Sequence, residues 1–255
     1  MLIDTHCHIL PGLDDGARTW DEAIEMAQYA SSQGIHTIVA TPHHGDGRHD
    51  NQAEKVDLAV QELSDELEKR HIFVRILSGQ EVRVSKGLLL DLDAKRIRTL
   101  NHSQYILLEL PPTGIPNYFD EVLYELRVLG LTVILAHPER QLDFIANPRL
   151  LHSYVEQGCL CQITSQSLMG QFGRKIQKFA MYICQSHLAH LIASDAHNLA
   201  SRRSNLAEAF SYIEKVQGRK ALEQYSLNAA CVVRNERIVT ETYPYKRRLW
   251  CLPLH

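Results

Sequence analysis

Short apolar runs alternate with amphipathic stretches along the chain. The runs are Leu2–His6, Ile35–Thr41, Ile72–Ser78, Tyr105–Leu110, Thr132–Ala136, Cys159–Thr164 and His190–Ser194. Each is rich in Ile, Val or Leu with little polar alternation, as in strands buried on both faces. Between them the period changes to that of helices. Thr19 and Glu22 form a capping-box pair ahead of Ala23, Ile24, Ala27 and Ala30, and Gly34 stands where that helix should stop. Gln52–His71 carries Val56, Ala59, Val60, Leu63 and Leu67 on one face. Asn117 is expected to cap a helix over Tyr118–Leu129 that Gly130 ends, and Asn147-Pro148 opens another that Gly158 closes. Arg174–Gln185 and Arg203–Val216 complete the set.

Seven strand–helix units imply parallel strands joined by right-handed crossovers. An open doubly wound sheet and a closed barrel both satisfy this pattern. No linker, low-complexity tract or composition break occurs before about residue 235, so 1–240 is read as one domain. The stretch 241–255, with Tyr243-Pro244-Tyr245-Lys246-Arg247-Arg248, is read as a C-terminal tail.

Composition narrows the function classes. The 255 residues hold 27 Lys+Arg and 30 Asp+Glu, a net charge of -3, which argues against a basic nucleic-acid surface. No apolar run approaches the ~18–20 residues of a membrane helix. The N-terminus opens directly on a strand and shows no signal peptide. Cys7, Cys159, Cys161, Cys184, Cys231 and Cys251 lack the spacing of a disulfide framework. A cytoplasmic location is therefore expected. One count stands out: 14 His.

Their placement matters more than their number. Strand one ends in His6-Cys7-His8, and its loop carries Asp14-Asp15-Gly16. Strand two ends in Thr41-Pro42-His43-His44, and strand three runs into Gly79-Gln80-Glu81. Strand four ends in Leu108-Glu109, strand five in His137-Pro138-Glu139-Arg140, and strand seven in Ser194-Asp195-Ala196-His197. Only strand six, with Thr164-Ser165-Gln166, lacks an ionisable residue there. In parallel α/β folds the loops at this edge converge on the active site. Buried strand ends rich in ionisable groups need their charge compensated, and a metal cluster does so economically. The donors are N and O without a Cys contribution, which favours Mn²⁺, Fe or Zn in an open catalytic site over structural zinc. Glu81 is the candidate bridging carboxylate.

The same motifs, in this order over residues 1–235, resemble the PHP (polymerase and histidinol phosphatase) superfamily. Within it the chain is similar to the CpsB/YwqE-type bacterial protein-tyrosine phosphatases of capsule and exopolysaccharide clusters. The stretches that carry the resemblance are Met1–Ala17, Thr37–His44, Gly79–Glu81, Ala136–Arg140 and Ile192–Asn198. The resemblance implies a distorted (β/α)₇ TIM-like barrel with two to three metal ions, usually Mn²⁺. By position, one ion would take His6, His8, Glu81 and Asp195. A second would share Glu81 and add Glu109 and His137, and a third would take Asp15, His43 and His197. Asp15 is preferred over Asp14 because it directly precedes Gly16. Arg140 is implied to hold the substrate phosphate, with Arg202 or Arg203 as a second cation, and Arg140, Asp195 and His197 are the expected catalytic group. The implied substrate is phosphotyrosine on a bacterial tyrosine autokinase. The alternatives are another PHP phosphoesterase, such as a histidinol-phosphate phosphatase, and a non-catalytic, metal-binding regulatory PHP domain.

Three further expectations concern residues outside this set. Cys231 and Arg237 have the Cys-x₅-Arg spacing of thiol-based phosphatases, but no Gly lies between them to cradle phosphate, so Cys231 is expected to pack in the terminal helix. Cys159 and Cys161 are expected to face opposite layers of strand six. The region of Tyr105 and Tyr118, with Pro111–Pro116, is a candidate phenol pocket.

Overall fold

A computed structural model of the chain describes residues 2–240. The stretch read as a tail, 241–255, lies outside the described residues. Strands β1 (Leu2–Cys7), β2 (Ile35–Ala40) and β4 (Arg75–Ser78) form one parallel sheet in the order β1-β2-β4. A second parallel sheet runs β3 (His43–His44), β5 (Glu81–Arg83), β6 (Tyr105–Glu109), β7 (Thr132–Ala136), β8 (Leu160–Thr164), β9 (Leu191–Ala193).

These nine segments occupy the seven strand positions read from the sequence, because two positions are broken. The second resumes as β3 after Thr41-Pro42, and the third resumes as β5 after Gly79-Gln80. At the last seam Asp195 N–H donates to His6 O at 2.8 Å and His8 N–H to Ala196 O at 2.8 Å. A single parallel bridge, Cys7 to Ala196, replaces a ladder there. The result is the expected (β/α)₇ arrangement with irregular seams, and both kinds of irregularity fall next to the residues of interest.

Helices cover the outside. α1 (Trp20–Ser32) starts at Thr19, whose hydroxyl accepts from Glu22 N–H at 3.2 Å. The reciprocal half of the box is not made, because Glu22 pairs with Arg18 instead. α2 (Ala53–Lys69) follows the apolar stripe of its sequence. After α3 (Leu88–Asp93), α4 (Phe119–Val128) has Tyr118 rather than Asn117 at its N-cap, and Phe119 N–H donates to Pro116 O at 3.0 Å in a turn. α5 (Leu142–Ala146) and α6 (Pro148–Glu156) precede β8, and α7 (Ser165–Leu168) and α8 (Arg174–Gln185) follow it. α9 (Leu206–Gln217) starts three residues later than expected, and α10 (Arg219–Arg234) closes the described chain.

Two apolar clusters result. The larger lies between strands and outer helices and includes Ile24, Val56, Leu108, Phe119 and Phe179. The smaller fills the barrel interior with Val39, Leu77, Leu107, Ile134, Leu160 and Leu191 and continues into Ala229, Cys231 and Val232 of α10. α10 therefore plugs the end where the strands begin. Asn228 donates to His190 O at 2.8 Å and Asn101 to Val233 O at 2.8 Å, and the Tyr105 hydroxyl donates to Glu236 O at 2.7 Å.

Strand position and alternation overturn two expectations. Tyr105 is buried at the plugged end and lines no phenol pocket. Cys159 and Cys161 both belong to the outer cluster while Leu160 points inward, as residues two apart on a strand share a face. Cys231 does pack in the terminal helix, at the end of the barrel opposite the strand termini.

Candidate metal centre

With one end plugged, the carboxyl ends of the strands form the only rim at which the six ionisable strand ends can meet. β1 carries His6, and His8 follows directly after its last residue, Cys7; the strand pairs irregularly between Asp4 and Cys7. Gly16 is fixed by close approach: a Cβ there would sit 2.1 Å from His8 O and 2.5 Å from His8 Cβ. The loop can thus fold back on His8, with Ala17 N–H donating to His8 O at 3.0 Å. His137 (φ 36°) and Asp195 (φ 51°) both leave their strands in the left-handed region. Such backbone strain costs on the order of 1–3 kcal/mol each and marks functional positions.

The side chains converge as three overlapping groups. His6, His8, Glu81 and Asp195 form the first; His8, Asp15, His43 and His197 the second; His43, Glu81 and Glu109 the third; donor atoms in each lie within 4.8 Å of one another. In the first, His6 Nε2 is 3.1 Å from His8 Nε2 and 3.3 Å from both Glu81 Oε2 and Asp195 Oδ1. His8 Nε2 is likewise 3.3 Å from both carboxylates. Donors held ~2.0–2.2 Å from one cation lie roughly 3.0–3.5 Å apart, so these edges suit a metal ion.

In the second group Asp15 Oδ1 is 3.2 Å from His197 Nε2 and 3.5 Å from His43 Nε2. In the third, Glu81 Oε2 is 3.1 Å from His43 Nδ1, while its other oxygen is 2.6 Å from His137 Nε2. Glu81 thus touches His6, His8, His43 and His137. His137 is 4.0 Å from Glu109, at the margin of the group expected for it.

Buried polar atoms without a hydrogen-bond partner are costly and rare. Here they include Glu81 Oε2, Asp195 Oδ1, His43 Nδ1 and His197 Nε2, all aimed into the cluster. Four carboxylates and five imidazoles packed this way fit one or more divalent cations. The charge distribution agrees. Burial and the neighbouring Glu81 carboxylate push Glu109 up to about 7. Asp195 is held well below the usual carboxylate range, against the cost of burial, by Arg140, His6, His8 and Arg202.

Outer contacts orient this set. Asp14 Oδ2 accepts from His8 Nδ1 at 2.6 Å and from His43 N–H at 3.0 Å. Asp14 is buried behind the imidazoles, whereas the half-exposed Asp15 faces the cluster. Arg83 pairs with Glu109 at 2.6 Å. Sequence reasoning missed Arg83. It also missed Gln162, on the one strand without an ionisable end, whose Oε1 is 2.7 Å from His6 Nδ1. No local spacing marks either residue. His44, adjacent to the set, instead turns Nδ1 to Asn51 O at 2.7 Å.

Of the three arginines singled out, two reach the site. Arg140 pairs with Asp195, and its guanidinium carbon lies 4.9 Å from the centre of the Phe172 ring. Arg202 Nη2 is 2.8 Å from Asp195 Oδ2 and Nη1 is 3.8 Å from Asp15 Oδ2. Both Nε–H groups are buried and lack an acceptor. Arg203 instead turns out to Glu208 at 3.8 Å, because α9 begins only after Asn205 and the loop rotates it away.

The comparisons with known proteins agree with this architecture. A family model described as "Capsular polysaccharide synthesis, CpsB/CapC" matches residues 2–234. The chain is 40% identical over 248 residues to the tyrosine-protein phosphatase YwqE of Bacillus subtilis, covering 97% of this chain and 98% of that one. It is 30% identical over 243 residues to the tyrosine-protein phosphatase CpsB of Streptococcus agalactiae serotype III, covering 93% and 100%. Among solved structures, a chain from the crystal structures of YwqE from Bacillus subtilis and CpsB from Streptococcus pneumoniae, "unique metal-dependent tyrosine phosphatases", superposes with TM-score 0.93 at 40% identity over 96% of this chain and all of that one. The organophosphorus hydrolase of Deinococcus radiodurans, at TM-score 0.56 and 11% identity over 91% of each chain, shares the fold alone. The chain belongs to the CpsB/CapC family of capsular polysaccharide synthesis proteins.

Proposed function

We propose that this chain is a metal-dependent protein-tyrosine phosphatase that hydrolyses phosphotyrosine on a bacterial tyrosine autokinase of capsule or exopolysaccharide assembly. The observation that carries the reading is the convergence of nine His, Asp and Glu side chains, several with unpartnered buried donor atoms, beside two arginines. His6, His8, Glu81 and Asp195 would hold one ion, Glu81, Glu109 and His137 a second, and Asp15, His43 and His197 a third. His43 lies close enough to Glu81 to join the second set as well. The N and O donors suit Mn²⁺, with Fe or Zn as alternatives. Bound metal would supply Lewis-acid neutralisation of phosphate oxygens and lower the pKa of a water near neutrality.

The chain's own residues do the rest. Arg140 and Arg202 offer planar sets of N–H donors to phosphate oxygens, the arrangement that grips phosphate bidentately. Asp195 holds both guanidiniums in place before substrate arrives. A phenolate leaving group, with a pKa of about 10, needs less protonation than an alkoxide. No helix among the described residues is long and apolar enough to cross a membrane, in keeping with action in the cytoplasm on a phosphorylated kinase tail.

The test is hydrolysis of para-nitrophenyl phosphate and a phosphotyrosine peptide with Mn²⁺ and with EDTA. Turnover that requires metal and favours the phosphotyrosine peptide over histidinol phosphate is expected. Absence of metal-dependent turnover would sink the reading and leave the regulatory-domain alternative.

A further inference from the structure

Two histidines of the first group are backed by different chemistry. Behind His8 stands a carboxylate, Asp14, 2.6 Å from Nδ1. Behind His6 stands an amide, Gln162, 2.7 Å from Nδ1. His6 and Gln162 are both fully buried, so their polar atoms have no water to fall back on.

The orientation of that amide follows from the role of His6: an imidazole whose Nε2 faces the metal group carries its proton on Nδ1 and needs an acceptor there. Gln162 Nε2 donates to Thr5 Oγ1 at 2.9 Å. An amide oxygen only accepts, so Oε1, 2.7 Å away, accepts from His6 Nδ1–H, and the Thr5 hydroxyl takes the amide N–H. The His6 proton is thereby held on Nδ1, and the Nε2 lone pair points at Glu81 and Asp195. Consecutive residues of a regular strand point to opposite faces. Thr5 and His6 nevertheless meet one side chain, where β1 pairs irregularly between Asp4 and Cys7. The irregularity and the amide form one device.

We propose that Gln162 is a positioning residue that sets the tautomer and orientation of His6. Through His6 it sets the affinity of the His6–His8–Glu81–Asp195 group for its metal. The inference rests on the metal-site reading above. The choice of an amide has a reason. The cluster already holds Glu81, Glu109, Asp15 and Asp195, and an amide orients His6 without adding another negative charge. A carboxylate behind an imidazole also raises its basicity, as Asp14 does for His8. His6 is thus the weaker donor of the pair by design of its partner.

The experiment measures Mn²⁺ affinity of the purified full chain by competition with a chelating dye, together with Mn²⁺ stoichiometry and thermal stability in EDTA. Gln162→Leu is expected to weaken the tightest site by 10–100-fold, the usual cost of losing such a partner. Thr5→Val, which frees the amide but leaves His6 untouched, is expected to weaken it less. Gln162→Glu keeps an acceptor on Nδ1 and is expected to match or exceed wild-type affinity. Wild-type affinity in both Gln162→Leu and Thr5→Val, even with a lower melting temperature, would overturn the proposal, since a packing role alone gives that result. Should Gln162→Leu fail to fold, the Thr5→Val and Gln162→Glu pair decides it. Wild-type protein that binds no Mn²⁺ overturns the metal-site reading itself, and the role of Gln162 with it.

Discussion

Asp14 accepts a 2.6 Å hydrogen bond from His8 Nδ1 and so stands behind the imidazole whose Nε2 faces Glu81 and Asp195. Its neighbour Asp15 approaches the cluster from the open side. The two adjacent acids should therefore fail differently. Asp14→Asn is expected to weaken metal affinity by roughly 10–100-fold, with activity restored by excess Mn²⁺. Asp15→Ala is expected to lose one metal per chain without such rescue. Metal analysis and Mn²⁺ activation curves separate the two.

Arg140 and Arg202 share Asp195, whereas Arg203 pairs with Glu208. Arg140→Ala should lower kcat/KM for a phosphotyrosine peptide by about 10²-fold, since hydrogen bonds to charged groups contribute roughly 1.5–3 kcal/mol. Arg202→Ala should do the same to a lesser degree, and Arg203→Ala should leave kcat/KM within about twofold. Phe172→Leu, which removes the ring under the Arg140 guanidinium, is expected to raise KM about 2–5-fold, as an exposed cation–π contact contributes roughly 0.5–1 kcal/mol. Steady-state kinetics on the four variants checks this order.

Metal-stripped protein should be unusually sensitive to pH through Glu109. Its carboxyl titrates near 7 in the fold, pushed up by burial and by Glu81, against an ordinary value of 4.5. Between these values the Glu109 carboxyl is more protonated in the folded than in the unfolded state, so its contribution to stability falls as pH rises from about 4.5 to 7. The loss is on the order of 3 kcal/mol at most. His137 and His197, each held down to about 4 by burial, act in the opposite direction over the same range, so denaturant titrations in EDTA should show the Glu109 contribution as the difference in slope between wild type and Glu109→Gln. Added Mn²⁺ should raise the melting temperature, because a ligand that binds only the folded state stabilises it by mass action.

Cys231 lies in α10 at the plugged end of the barrel, and burial raises its thiol above the ordinary value. A thiolate nucleophile needs the opposite shift. Cys231→Ser should retain wild-type kcat/KM, and iodoacetamide should not inactivate the enzyme while EDTA does. A loss of turnover in Cys231→Ser with an unchanged melting temperature would contradict the assignment.

Much of the centre is legible in the sequence because its signals are local. His6 and His8 lie two apart at the end of one strand, Asp15 precedes the glycine that lets the loop pack on His8, and His137, Asp195 and His197 sit where apolar runs stop. Parallel strands and crossover hand follow from seven repeats of one unit. The sequence by itself therefore determined a parallel α/β fold and the strand ends at which candidate donors gather, since periodicity and strand termini are short-range properties, while the barrel form came from the family resemblance.

What only the tertiary structure decided involves partners far apart in the chain. Gln162 meets His6 across 156 positions, Arg140 meets Asp195 across 55, and Arg83 meets Glu109 across 26. No spacing rule encodes such pairs. The same holds for α10, whose Cys231 and Val232 fill the barrel floor beside Tyr105, the first residue of β6. Asp14 and Asp15 are chemically identical and adjacent, and only the loop's path over His8 sends one behind the imidazoles and the other toward them. The choice among like residues was made by the fold, because direction, burial and the second hydrogen-bond partner of each side chain exist only once the strand ends have come together.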